Sequence, residues 1–142
     1  MHSVSRDIDA PAHIAWRLLI DTAEWPRWGP SVRAVEAPQR RIGPGMRGRI
    51  QTPPGLWLPF EITAWQPGEA WAWRVAGVEA TGHRVEPLGA GRCRVSFLIP
   101  RWAPLYRPIC ASALRKIADL AEAGGHRLIA DSAEGDRRFW RS

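Results

Sequence analysis

The sequence predicts an α+β domain in which an antiparallel sheet carries one long C-terminal helix on its apolar face. Three features point there. In 104–125, Tyr106, Ile109, Cys110, Ala113, Leu114, Ile117, Leu120 and Ala121 recur at spacings of three and four, with Arg107, Arg115, Lys116, Asp119 and Glu122 opposite. From Met46 to Ile99, short alternating segments are divided by Pro- and Gly-rich turns. No strand–helix alternation supports a parallel sheet. A helix of about five turns with one greasy side needs a broad partner, and a sheet supplies it.

The elements follow in order. Val4, Arg6 and Ile8 alternate with Ser3, Ser5 and Asp7 in a first strand. A helix follows in the segment Asp9–Asp21, with Asp9 or Ala10 preceding it, Pro11 in its first turn and Ile14, Trp16, Leu18 and Leu19 as its stripe. Pro26, Gly29 and Pro30 hold the next segment to one short helical turn. Val32 to Ala37 is a strand. Met46–Thr52 and Leu56–Trp65 form a hairpin, with Pro54–Gly55 as the centre of a type II turn. Trp71–Val75, Thr81–Pro87 and Cys93–Ile99 continue the meander. The long helix is expected to stop at Gly124–Gly125, leaving 1–125 as the domain and 126–142 as a partly ordered tail.

A chain of 142 residues, 45% hydrophobic, can bury a core as one domain. Net charge is +6, almost entirely through Arg, since Lys116 is the single lysine. The arginines are scattered through strand-like segments and form no block, so no nucleic-acid partner is expected. Cys93 and Cys110 lack metal or CxxC spacing and fall on apolar faces. His2, His13, His83 and His126 have no metal-ligand spacing, and no phosphate-cradling glycine loop or GxSxG turn occurs. No metal and no cofactor are therefore expected. With no signal-peptide core and no run of transmembrane length, the expected location is cytoplasmic, without membrane insertion.

Alternation assigns faces within the sheet. Trp71, Trp73 and Val75 share one side with Arg74 opposite, and Cys93, Val95, Phe97 and Ile99 oppose Arg94, Ser96 and Leu98. Leu58, Phe60, Ile62 and Ala64 oppose Trp57, Glu61, Thr63 and Trp65. The chain has nine tryptophans, which suit either core packing or the wall of a pocket for a planar, greasy molecule.

Particular residues carry a family resemblance. They are Ile8-Asp9-Ala10-Pro11 with Ile14 and Trp16; Asp21, Trp25-Pro26, Trp28, Pro30 and Val32; and Gly45 with Gly48. Glu61-Ile62 with Pro67, His83-Arg84-Val85 with Pro87, and Gly91-Arg92-Cys93-Arg94-Val95 extend it over residues 1–123. In these the chain resembles the START-related (SRPBCC) superfamily, in its polyketide cyclase/dehydrase and lipid-transport branch. The resemblance implies a helix-grip fold, a curved antiparallel sheet wrapped around the C-terminal helix with a cavity between them. It also implies a small hydrophobic ligand, and in some members cyclisation or dehydration.

If such a cavity is present, its candidate wall is Trp57, Phe60, Trp65, Trp71, Trp73, His83, Phe97, Tyr106, Ile109, Ala113 and Ile117. Alternation does not let Phe60, Trp57 and Trp65 all face inward. For an enzyme, His83 is the acid–base candidate, since it shares a strand face with Val85. As a structural residue it would instead be hydrogen-bonded at the core edge. Glu61 would serve as a general acid only if curvature turned it inward. Three functions follow: a binder of an aromatic or polyketide- or lipid-like molecule, a cyclase/dehydrase-type enzyme using His83, or a basic module acting on nucleic acid or an anionic membrane. The first fits the apolar faces best.

Overall fold

Tight turns set the sheet, and the long helix closes it. The computed structural model describes residues 2–141, with side chains of residues 2–124. Strands β1 (His2–Ile8), β2 (Ala34–Glu36), β3 (Arg47–Gln51), β4 (Trp57–Gln66), β5 (Ala70–Val75), β6 (Val78–Pro87) and β7 (Cys93–Ile99) form one seven-stranded sheet. Its order is β1-β7-β6-β5-β4-β3-β2, with every pairing antiparallel. Helices α1 (Ala12–Ile20) and α2 (Trp25–Trp28) connect β1 to β2. A 3-10 turn (Pro104–Tyr106) leads into α3 (Arg107–Arg141). The fold is the α+β helix grip: α3 lies against β1, β7, α1 and α2 in the hollow of the sheet.

Cys110, Ala113, Leu114, Ile117, Ala118 and Ala121 are the buried face of α3. Half of these are alanines, so the helix can approach the sheet closely. Cys93, Val95, Phe97 and Ile99 of β7 share the buried face of the sheet with Val85 of β6, as alternation requires, and β7 packs against α3. Burial pushes the Cys110 thiol up to about 11, and the Cys93 thiol is also raised, so both stay protonated as small hydrophobes. Gly48 is a packing glycine: a Cβ there would lie 2.6 Å from the Glu36 carbonyl oxygen and 2.8 Å from Phe60 Cζ.

Some expectations are corrected. In the β3–β4 hairpin the Gly55 N–H donates to the Thr52 carbonyl at 2.8 Å, so Pro53 and Pro54 are the central pair of the turn. Pro54 has φ fixed near −65°, so the turn cannot be type II there, and the left-handed φ of 99° falls on Gly55 beyond it. In β4 the pairing with β5 shifts register between Ile62 and Ala64. The extra residue turns Ala64 out to solvent and brings Trp65 to the inner face opposite Trp71, reversing the assignment of both. Finally, α3 does not stop at Gly124–Gly125 but runs to Arg141. Glycine weakens a helix by about 1 kcal/mol relative to Ala but ends it only where the chain turns left-handed, and Gly124 does not. The apolar side chains expected in the tail, Leu128, Ile129, Phe139 and Trp140, lie outside the described residues.

Candidate functional site

The site begins at the end of α1. The last four carbonyls of a helix lack partners within it. Here the Arg17 carbonyl accepts from Asp21 N–H at 3.1 Å, and the Ile20 carbonyl accepts from Ile42 N–H at 2.9 Å. Between them, Leu18 and Leu19 carbonyls accept from the indoles of Trp28 and Trp25, each at 2.9 Å. Residues i and i+3 on the short turn of α2 thus point both rings at one helix end, and the helix end fixes both rings. Asp21, at the C-cap, is held below the usual carboxylate range. Burial pushes it up, but the Arg40 hydrogen bond at 2.8 Å and the Ala23 N–H outweigh that.

Those indoles meet the sheet in an aromatic cluster. Trp25 stacks on Trp71 at 5.6 Å and 13° and meets Trp73 edge-on at 5.3 Å. His83 also stacks on Trp71, at 3.9 Å, and is T-shaped to Phe97 at 4.8 Å. Trp28 packs on Phe97 at 5.8 Å. Each such aromatic pair contributes about 1 kcal/mol beyond the area it buries. Between this cluster, the Gly29–Val32 loop and α3 lies a half-open cavity of about 60 Å³. Its innermost walls are Trp71, His83, Phe97 and Ala113, and its lip is Pro30, Ser31, Val32 and Tyr106. The hydroxyls of Ser31 and Tyr106 are hydrogen-bonded across the lip at 3.0 Å.

A short polar relay crosses the wall. Trp73 Nε1–H donates to Thr81 Oγ1 at 3.2 Å, and Thr81 Oγ1 lies 3.0 Å from His83 Nε2. On the other side of the ring, His83 Nδ1 is 3.4 Å from the Trp71 carbonyl. That carbonyl only accepts, so the proton belongs on Nδ1, and Nε2 accepts from the Thr81 hydroxyl. Burial lowers the His83 pKa to about 3 against a small opposing effect of the Trp71 carbonyl, so the ring is neutral at physiological pH. Trp71 Nε1 is the one buried side-chain nitrogen or oxygen among the described residues without a partner. Among the described residues no group of His, Cys, Asp or Glu side chains is arranged to hold a metal.

Comparison with known proteins places this architecture. The sequence matches the family described as polyketide cyclase/dehydrase and lipid transport over residues 2–132. The chain belongs to that family. No curated protein sequence matches it significantly. Among solved structures it is similar to the Zhui aromatase/cyclase of a Streptomyces species, with 16% identity, a TM-score of 0.65, and coverage of 85% of this chain and 92% of that one. The di-domain ARO/CYC protein BexL shares 19% identity at a TM-score of 0.61; 86% of this chain is covered and 47% of BexL. Norcoclaurine synthase from Thalictrum flavum, in complex with dopamine and hydroxybenzaldehyde, shares 13% identity at a TM-score of 0.57, with 84% of each chain covered. At these identities the likeness is one of fold.

Within this polyketide cyclase/dehydrase family member, seven expected wall residues do line the cavity: Trp71, Trp73, His83, Phe97, Tyr106, Ile109 and Ala113. The others lie elsewhere. Trp57 is on the outer face with the Arg49 guanidinium 4.6 Å above its ring. Trp65 is on the inner face but packs edge-on against Trp16 at 5.4 Å, away from the cavity. Phe60 is buried behind Trp25 and Trp73, and Ile117 is buried in the core farther along α3. Glu61 stays on the outer face, 3.7 Å from Arg47, so curvature does not turn it inward. Trp25, Trp28, Thr81 and Cys110 also line the cavity, beyond the wall expected from the sequence. The i, i+3 spacing of the two tryptophans, and the alternation of Thr81 with His83, were the available signals.

A larger hollow of about 430 Å³ lies outside the grip, between α1, α3 and Arg40–Arg41. Asp21 and Arg40 are ion-paired there and Glu24 pairs with Arg27, whereas Arg17 and Arg41 make no ion pair among the described residues.

Proposed function

We propose that the chain binds a small, planar, hydrophobic molecule bearing one hydrogen-bond acceptor, held between the sheet and α3. The observation that carries this reading is an apolar, half-open cavity walled by aromatic rings, with an unpaired buried indole N–H on one of the wall residues, Trp71. An unsatisfied buried donor costs about 1–3 kcal/mol, which a ligand acceptor would offset once the wall gives enough to expose that N–H. The cavity is well below the roughly 300–1,000 Å³ typical of pockets for drug-sized ligands, so a single aromatic ring suits it better than a fused polyketide. An apolar cavity that takes benzene is roughly 150 Å³, so at about 60 Å³ even a single ring requires the Ser31–Tyr106 contact at the lip to open. The single-ring molecules in the norcoclaurine synthase complex make the same size class reasonable for this fold.

The family also includes the chemistry of cyclisation and dehydration, and His83 is in the wall. Its neutral ring has both nitrogens engaged and would have to break the Thr81 or Trp71 contact to move a proton. We therefore favour binding over catalysis by His83. Native mass spectrometry of freshly purified protein tests the reading. An added mass lost on denaturation, and absent from an Ala113→Phe variant that fills the cavity, is the expected result. Retention of that mass by the filled variant would contradict it.

A further inference from the structure

The turns at one end of the sheet gather residues that the sequence scatters. Because every pairing is antiparallel, the β3–β4 turn, the β5–β6 turn, the chain entering β2 and the chain leaving β7 all lie at the same end. Leu56, Val78, Trp102 and Leu105 are there, and they are large hydrophobic residues open to solvent. Leu105 is 89% exposed and Trp102 62%. The remaining exposed large hydrophobic residue, Leu88, sits at the opposite end, in the β6–β7 turn. Trp102 does not hang loose: its indole N–H donates to the Glu79 carbonyl at 2.9 Å, which holds the ring at the surface.

Charge follows the same division. Arg33 before β2, Arg74 next to the end of β5, Arg101 after β7 and Arg107 at the start of α3 are exposed, and among the described residues none is ion-paired. Among the described residues the acids facing them are Glu79 and Glu61, the partners of Arg74 in β6 and β4, and Glu61 lies 3.7 Å from Arg47. The lip of the cavity, Pro30 to Val32 with Tyr106, is at this end too.

We propose that this end of the grip docks on an anionic membrane surface, with Trp102 and Leu105 entering the headgroup boundary and the arginines meeting lipid phosphates. An indole with one polar edge suits that boundary, and basic side chains around it supply the electrostatic attraction. Separate protruding tips suit a soft interface better than the continuous flat patch a protein partner needs. Nucleic acid would use the arginines but leave the protruding apolar side chains without a role. Docking here would face the cavity lip toward the bilayer. The proposal goes beyond the cavity reading and stands without it.

Co-sedimentation of the full chain with vesicles tests it. Phosphatidylcholine vesicles containing one part in three phosphatidylglycerol are expected to bind about tenfold better than pure phosphatidylcholine, with the difference shrinking as salt rises. Trp102→Ala/Leu105→Asp should lose about tenfold in binding, Arg101→Gln/Arg107→Gln should flatten the salt dependence, and Leu88→Asp should change nothing. Circular dichroism checks that each variant is folded. Equal binding to both vesicles, full binding by the Trp102/Leu105 variant, or an equal loss in Leu88→Asp would overturn the proposal. Self-association that the Trp102/Leu105 variant abolishes, without vesicle binding, would assign the face to a second copy and overturn it as well.

Discussion

His83 is wedged between Trp71 and Phe97 with Thr81 on one ring nitrogen and the Trp71 carbonyl on the other. Its folded pKa of about 3 lies below the ordinary 6.5 of the unfolded chain. Between those values the unfolded state binds a proton that the native state does not, so native stability is full above pH 6.5 and falls as pH drops through the window. The slope is about 1.4 kcal/mol per pH unit. From pH 7 to 5, wild type should lose about 2 kcal/mol more than His83→Gln, measured by urea unfolding at each pH. Equal losses would mean the ring protonates freely in the native protein. Period-two alternation was enough to place His83 on the inner face with Val85. It could not show that Thr81 and the Trp71 carbonyl would take both nitrogens, because that depends on the register of β6 against β5.

Among the elements, β4 shows what alternation reads and where it fails. Leu58, Phe60 and Ile62 face inward as the pattern requires, and then the register shift at Thr63 reverses the remainder. Nothing in the local residues marks that bulge, because Thr63 is an ordinary strand residue and the bulge arises from pairing with β5. The shift has an energetic signature. Trp65→Ala should cost about 3 kcal/mol through its lost packing on Trp16, and Trp57→Ala about 1 kcal/mol through its exposed contact with Arg49. Chemical denaturation of both variants checks the order, and a reversed order would return Trp65 to the outer face. The order of strands and helices was legible because turn chemistry and periodicity agreed at each step. The length of α3 was not, since Gly124 lacks the left-handed turn that would make it a stop.

At the scale of the molecule, the sheet and α3 grip a core that is nearly solid, and the space left is small and aromatic. The family pattern implied a cavity, but its size is set by Trp25 and Trp28, which α1 holds in place through its own unpaired carbonyls. That coupling joins residues distant in sequence and was not visible in spacing. The central claim is that this space takes a single-ring ligand with an acceptor for Trp71. The most direct measurement is the indole N–H region of a ¹H–¹⁵N correlation spectrum, with the Trp71 signal assigned by Trp71→Phe, during titration with single-ring aryl ketones and phenols. The account predicts saturable shifts at Trp71, Trp73 and Trp28, while the surface indoles Trp57 and Trp102 stay still. Saturable shifts confined to Trp57 or Trp102, or none at any indole across such a panel, would contradict it.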